Sequence, residues 1–269
     1  KHQAWLQVKH EKFKSLIVLL HKRQIGIAGV SSPKSAVQVV VSDRELNFLQ
    51  NSNFKKTNGI MKIDSMSSEQ LGNSLDPRYF NPEKIEQKLK EIAKTFPTTS
   101  KLESVGTSLE GRPVWALRIG SPDLLAEKAE ELTHPSIIVD GMHHAREIMT
   151  PEIVVDMAES LLRGYADNNV EALGILGTWN VWLVPMLNVD GNNIVWNQDN
   201  WWRKNARSVR SRKVGVDINR NYPYRWGRCN GSSSSPSAQD YRGTGPSSEP
   251  ETTGLVNLAT RIRPTSYLS

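Results

Sequence analysis

The chain has 269 residues, 38% of them hydrophobic, enough for one large core or for a main domain with a smaller companion. No apolar run approaches the ~18 residues of a membrane span, and the single cysteine, Cys229, rules out a disulfide within the chain. The net charge of +6 comes partly from the run Arg203 to Lys213, whose ordinary reading is a solvated loop, so nucleic acid is not expected as a partner.

Residues 1–63 read as a small α+β unit. Ala4 to Val8 alternates like a strand, and Phe13, Leu16, Ile17 and Leu20 follow at helical spacing. Ile25 to Val30 and Val37 to Val41 are further strand candidates, separated by the Ser31-Ser32-Pro33 turn. Ser42 or Asp43 can cap a helix carrying Leu46 and Leu49, and Phe54 is the expected start of a last strand. The order is ferredoxin-like, which says nothing of function. Thr57 to Asp76 is rich in Ser, Asn, Gly and Lys and reads as an exposed tether, with residues 64–77 as the linker proper.

From residue 78 the pattern becomes that of an α/β sheet. Pro82 opens a helix with Ile85, Leu89, Ile92 and Phe96 on one face, stopped at Pro97. Leu102–Val105 and Val114–Ile119 are strands joined at Glu110-Gly111-Arg112. The strand 136–140, a helix from about Pro151 to Arg163, and the strand Val181–Val184 complete the alternation. Just past 136–140 comes Asp140-Gly141-Met142-His143-His144-Ala145-Arg146-Glu147. A His and a Glu three apart at a strand end can aim a nitrogen and an oxygen at one point, which makes His144 and Glu147 a candidate metal pair. An isolated pair of this spacing is more often a surface hydrogen bond. His134 precedes the strand and is expected at its opposite end.

Two arginine motifs follow. Trp201-Trp202-Arg203-Lys204 sets a permanently charged fork beside aromatic side chains, suited to an oxyanion or simply to stacking. In Asp217-Ile218-Asn219-Arg220-Asn221-Tyr222, Asn219 and Arg220 can donate to a carboxylate or satisfy turn carbonyls. The Ser232–Ser237 run reads as a flexible rim loop without chemistry.

His144-Ala145-Arg146-Glu147, Asn188-Val189-Asp190-Gly191, Trp202-Arg203-Lys204 and Gly215 to Asn221, in this order, resemble the zinc metallocarboxypeptidases of the carboxypeptidase A/B type. Tyr224-Arg225-Trp226-Gly227, Ser235-Pro236-Ser237 and Tyr241-Arg242-Gly243 are most similar to the bacterial carboxypeptidase T branch. The resemblance implies a doubly wound mixed-sheet α/β domain over residues 78–269, preceded by an inhibitory propeptide at 1–63 and an activation site within 64–77. It implies Zn²⁺ held by His144 and Glu147, with Asp217 orienting the histidine. Arg203 then polarises the scissile carbonyl, Asn219 and Arg220 clamp the substrate's terminal carboxylate, and Arg146 contacts a subsite. Peptide and protein C-termini are the implied substrates of a secreted, extracellular or periplasmic, monomeric zymogen that is not bound to membranes. A non-catalytic peptide-binding relative and a zinc acyl-hydrolase of small amides are the alternatives.

One departure stands out. In the family a third zinc histidine follows the Glu249 helix, with the general-base Glu further on, yet no histidine follows His144 here. The expectation is therefore a fragment or a shortened relative. Residues 1–269 alone are expected to be inactive, and to expose apolar residues such as Val181 and Leu183.

Overall fold

Contacts divide the chain into two units, Lys1–Leu75 and Asp76–Ser269. The structure, a computed structural model, describes residues 2–23, 25–30, 36–67, 75–126, 133–209, 212–228 and 231–269. Cys229 lies outside the described residues.

The first unit runs β1 (His2–Val8), α1 (Phe13–Lys22), β2 (Gly26–Val30), β3 (Ala36–Val41), α2 (Asp43–Gln50), α3 (Ser52–Thr57) and β4 (Ile60–Ser67). Its sheet has the order β2-β3-β1-β4 with every pair antiparallel. Alternation explains the core: Ala4, Leu6 and Val8 are buried while Trp5 between them is partly exposed. Ser42 closes the start of α2 through a capping box with Glu45, accepting from the Glu45 N–H and receiving its carboxylate in return.

Two expectations are corrected here. Phe54 lies in the short helix α3, because Asn51 accepts from the N–H groups of Asn53 and Phe54 and starts a helical turn. The strand begins at Ile60 and runs to Ser67, paired along its length with β1, so part of the polar stretch taken for a tether is sheet. Polar composition hid it because an edge strand buries only one face.

The second unit runs α4 (Pro82–Thr95), β5 (Ser100–Thr107), β6 (Pro113–Ile119), α5 (Pro122–Ala126), β7 (Ser136–Asp140), α6 (Thr150–Ala166), α7 (Val170–Thr178), β8 (Asn180–Val184) and α8 (Val189–Asn197). A two-stranded ribbon, β9 (Ser208–Val209) and β10 (Arg212–Lys213), precedes a 3₁₀ turn at Ile218–Arg220, α9 (Pro250–Ile262) and β11 (Ser266–Leu268). The mixed sheet has the order β11-β7-β8-β6-β5. β11, β7 and β8 are parallel, and β6 and β5 alternate against them. This is the mixed α/β sheet that the sequence implied.

Every residue of β8 is buried, Val181 at 3% and Leu183 at 0% exposure, contrary to the expectation that they would face solvent. The reason is register: Val181 pairs with Ile137 and Ile119, and Leu183 with Val139 and Leu117, so both neighbouring strands come from residues 113–140. The exposed apolar side chains of this sheet instead include Tyr267 and Leu268 on edge strand β11. Burying Ile85, Leu89 and Ile92 of α4 adds roughly 1.5–3 kcal/mol each. Among the described residues, no helix is long and apolar enough to cross a membrane.

Helix α9 packs so closely on β5 that a Cβ at Gly254 would lie 2.6 Å from the Val105 carbonyl oxygen. Its first turn buries Glu251, whose Oε2 accepts from Asn205 Nδ2 at 3.3 Å while Oε1 has no partner among the described residues. Burial, reinforced by Glu249 and Asp190, pushes this carboxyl up to about 7. The folded state thus holds a proton that the unfolded chain gives up near the ordinary value of 4.5. Stability is fully present below that value and falls as pH rises through about 7. Glu251→Gln is expected to gain on the order of 2–3 kcal/mol over the native chain between about pH 5 and pH 8 in urea unfolding. A difference that does not change with pH would contradict this reading.

Candidate metal centre

The parallel strands β7 and β8 end side by side, Asp140 opposite Val184, and the groups of interest sit on the segments that leave those ends. After β7 the chain turns through Gly141, whose missing Cβ would meet the Pro185 carbonyl oxygen at 2.9 Å. Met142 follows, buried and at φ 59°, a left-handed conformation unusual for a side chain of this size. The Met142 N–H donates to Thr150 Oγ1 and the Ala145 N–H to the Arg203 carbonyl. The turn is therefore fastened both to the start of α6 and to the Arg203 segment.

His144 stands in the middle. Its Nδ1 is 2.9 Å from Glu147 Oε1 and its Nε2 is 3.2 Å from Asp217 Oδ1. Burial disfavours a charged imidazole, but the hydrogen bonds to Asp217 and Glu147 outweigh it and raise the pKa. Glu147 lies at the exposed edge of the turn; the partial desolvation of its carboxyl is outweighed by the His144 contact, which carries its pKa below the usual carboxylate range. Asp217 is fully buried. Burial alone would raise its carboxyl, yet His144 and Arg203 hold it far below the ordinary range. Its Oδ2 accepts from Arg203 Nε at 3.2 Å and Nη2 at 2.9 Å, while Oδ1 also caps the 3₁₀ turn through the Asn219 N–H. The Asp217 N–H in turn donates to the Tyr241 carbonyl at 2.8 Å.

The other predicted residues fall around this centre. Arg203 is held by Asp217 rather than by the neighbouring tryptophans. Arg146 Nη1 reaches the Trp201 carbonyl at 3.4 Å, and burial together with the Arg203 charge brings its pKa down to about 10. Asn219 is exposed, and Arg220 is half-buried with Nη1 on the Asn219 carbonyl and Nε without a partner among the described residues. His143 turns away from His144: its Nε2 contacts the Tyr222 hydroxyl at 2.6 Å, and its Nδ1 lies 3.4 Å from Asp140 and 3.2 Å from Ser269 Oγ. Tyr267 donates to Asp140 in the same cluster, and burial beside Tyr267 and Asp140 raises the Tyr222 phenol far above its ordinary value.

Several contributors were not singled out from the sequence. Lys204 is buried, and its Nζ donates to the Pro236 and Ala238 carbonyls at 3.0 and 2.8 Å. Burial lowers its pKa to about 8. With the Ser233–Tyr241 bridge, Lys204 ties down the serine-rich segment read from composition as a flexible rim. Its place directly after Arg203 in the Trp201–Lys204 motif was the available signal. Asn188 Nδ2 donates to the His143 carbonyl, and Asp190 receives Ser108, the Glu110 N–H and Arg112.

The donor set suits zinc. His144 Nδ1 and Glu147 Oε1 face each other at 2.9 Å, and two ligands ~2.0–2.1 Å from one tetrahedral ion stand ~3.3 Å apart, so a small opening would admit it. Asp217 on Nε2 leaves Nδ1 as the nitrogen free to bind a metal. Among the described residues no third His, Cys, Asp or Glu joins the pair at one point.

Comparison with known proteins shows the family of the chain. The family profile described as Zinc carboxypeptidase matches residues 85–269. The chain belongs to the zinc carboxypeptidase family. It is 34% identical over 180 residues to metallocarboxypeptidase A of Trichophyton tonsurans, covering 66% of this chain and 40% of that protein. To mast cell carboxypeptidase A of Homo sapiens it is 30% identical over 182 residues, covering 67% of this chain and 41% of the relative. The fold matches the crystal structure of carboxypeptidase A from Helicoverpa armigera with a TM-score of 0.78 at 22% identity, covering 99% of this chain and 68% of that one. Thrombin activatable fibrinolysis inhibitor gives 0.73 at 20% identity, covering 99% and 70%.

The carboxylate of Asp217 is the common partner of Arg203 and His144, so removing it leaves buried charge without compensation. Asp217→Ala is expected to cost about 3–5 kcal/mol in urea unfolding at neutral pH. A loss within about 1 kcal/mol, the range of an exposed pair, would show that Arg203 and His144 do not depend on it.

Proposed function

We propose that this protein is a zinc-dependent carboxypeptidase that hydrolyses the last peptide bond of peptides and proteins. The observation that carries the proposal is His144 locked by Asp217 on Nε2 with Nδ1 facing Glu147, beside an arginine held by the same carboxylate. His144 and Glu147 would hold the zinc. When bound, zinc would supply a Lewis acid and bring the pKa of water down toward neutrality. In the family the third ligand follows the helix that here is α9. Strand β11 continues from α9 beside β7 and brings Ser269 to His143, the residue before His144.

This chain's own residues do the rest. Arg203 spends Nε and Nη2 on Asp217, which aims the fork and leaves Nη1 to meet the carbonyl oxygen as negative charge develops. Arg220, with Nη1 on its neighbour's carbonyl, and the exposed Asn219 would receive the terminal carboxylate. Arg146, half-buried and still charged at neutral pH with its pKa brought down to about 10, would line a substrate position next to Arg203.

The unit Lys1–Leu75 has a core of its own and is read as an inhibitory propeptide of a secreted, monomeric zymogen. Because Ile60–Ser67 is paired in its sheet, activating cleavage belongs after Ser67 and before the second unit begins at Asp76.

The test uses a blocked dipeptide with a free C-terminus and its C-terminal amide. Arg220→Ala is expected to lower kcat/KM on the free acid roughly 10- to 100-fold and to leave the amide unchanged. In parallel, His144→Ala should lose zinc on dialysis while His143→Ala keeps it. An Arg220 variant that loses activity equally on both substrates, or zinc retained without His144, would overturn the assignment. Peptide binding without turnover would favour a non-catalytic relative.

A further inference from the structure

Asn188-Val189-Asp190-Gly191 has no part in the chemistry described so far, yet it lies against the turn that carries His144. Three consecutive carbonyls of that turn accept hydrogen bonds from one stretch of chain. Gly141 accepts from the Leu187 N–H at 3.2 Å, Met142 from the Asn188 N–H at 3.1 Å, and His143 from Asn188 Nδ2 at 3.0 Å. The other end of the same amide, Oδ1, accepts from the Gly191 N–H at 3.0 Å and caps α8. Helix α8 thus orients the amide, and the amide orients the residue preceding His144.

Three further observations show that this contact is held firmly. Asn188 is fully buried, so neither end of its amide is offered water as a substitute. Gly191 admits no side chain, because a Cβ there would lie 2.8 Å from Ala145 Cβ and 2.5 Å from the Lys204 carbonyl oxygen. Asp190 anchors the start of α8 to Ser108, Glu110 and Arg112 on the β5–β6 connection. The turn needs such a hold, since Met142 sits at φ 59°, a conformation that persists only when its surroundings enforce it.

We propose that Asn188 is a positioning residue for the metal-binding turn, setting the His143 carbonyl and thereby the direction of the His144 imidazole between Asp217 and Glu147. The proposal rests on the reading of His144 as a metal ligand. It requires an amide. Aspartate would retain the cap but turn an acceptor toward the His143 carbonyl, and serine would retain the cap but fall short of that carbonyl.

The test compares Asn188→Ser and Asn188→Asp with Asn169→Ser, a control at the cap of α7, where Asn169 Oδ1 accepts from the Glu171 and Ala172 N–H groups. Two signals are read on the full chain. One is the downfield, slowly exchanging Nε2–H proton of His144 in metal-free protein, assigned by its loss in His144→Gln. The other is zinc affinity by competition with a chromophoric chelator. Both Asn188 variants should lose or broaden the Nε2–H signal and weaken zinc roughly 10- to 100-fold, while the control keeps both at a comparable melting temperature. An intact signal in either folded Asn188 variant, or equal losses in the control, would overturn the proposal. Equal zinc affinity of the native chain and His144→Gln would instead overturn the metal reading, and the proton signal would still decide whether Asn188 orients the ring.

Discussion

One buried carboxylate ties the centre together. Asp217 takes Arg203 on one oxygen and His144 on the other, and gives its N–H to the Tyr241 carbonyl. A charge sealed from water is tolerable only when it is paired and hydrogen-bonded, and here the pairing fixes both partners. It selects the ring nitrogen left for a metal, and it aims the guanidinium at the same side. An amide in its place would keep the shape but remove the charge that pairs with Arg203 and the acceptor that holds His144.

The sheet explains why these groups can meet although 73 residues separate His144 from Asp217. Parallel β7 and β8 end together, so segments leaving their carboxyl ends start as neighbours. The first leaves as the ligand turn. The second leaves through Asn188 and α8 and returns at Arg203, whose carbonyl receives the Ala145 N–H. The backbone is thus crosslinked at the places where the side chains act.

The sequence made the His144–Glu147 pair and the arginine motifs legible because reactive side chains at short, ordered spacings are rare and carry their chemistry openly. It also showed the alternation of strands and helices, since burial on both faces of β8 demands a continuous apolar run. What it hid were contacts set by distance in space. Asn188 and Lys204 act by donating to backbone carbonyls far along the chain, and no local pattern reports the carbonyl they reach. The strand Ile60–Ser67 was concealed by polar residues on an edge, and the burial of Val181 by neighbours contributed from residues 113–140. For the fully buried Asp217 the sequence offered no role apart from the resemblance.

The central claim is that one zinc ion sits between His144 and Glu147. Anomalous diffraction at the zinc edge from crystals of the zinc-loaded protein tests it most directly. The account predicts a single strong peak about 2 Å from both His144 Nδ1 and a Glu147 carboxylate oxygen, with Asp217 still on Nε2. A peak on Nε2, or one outside the His144 turn altogether, would contradict it.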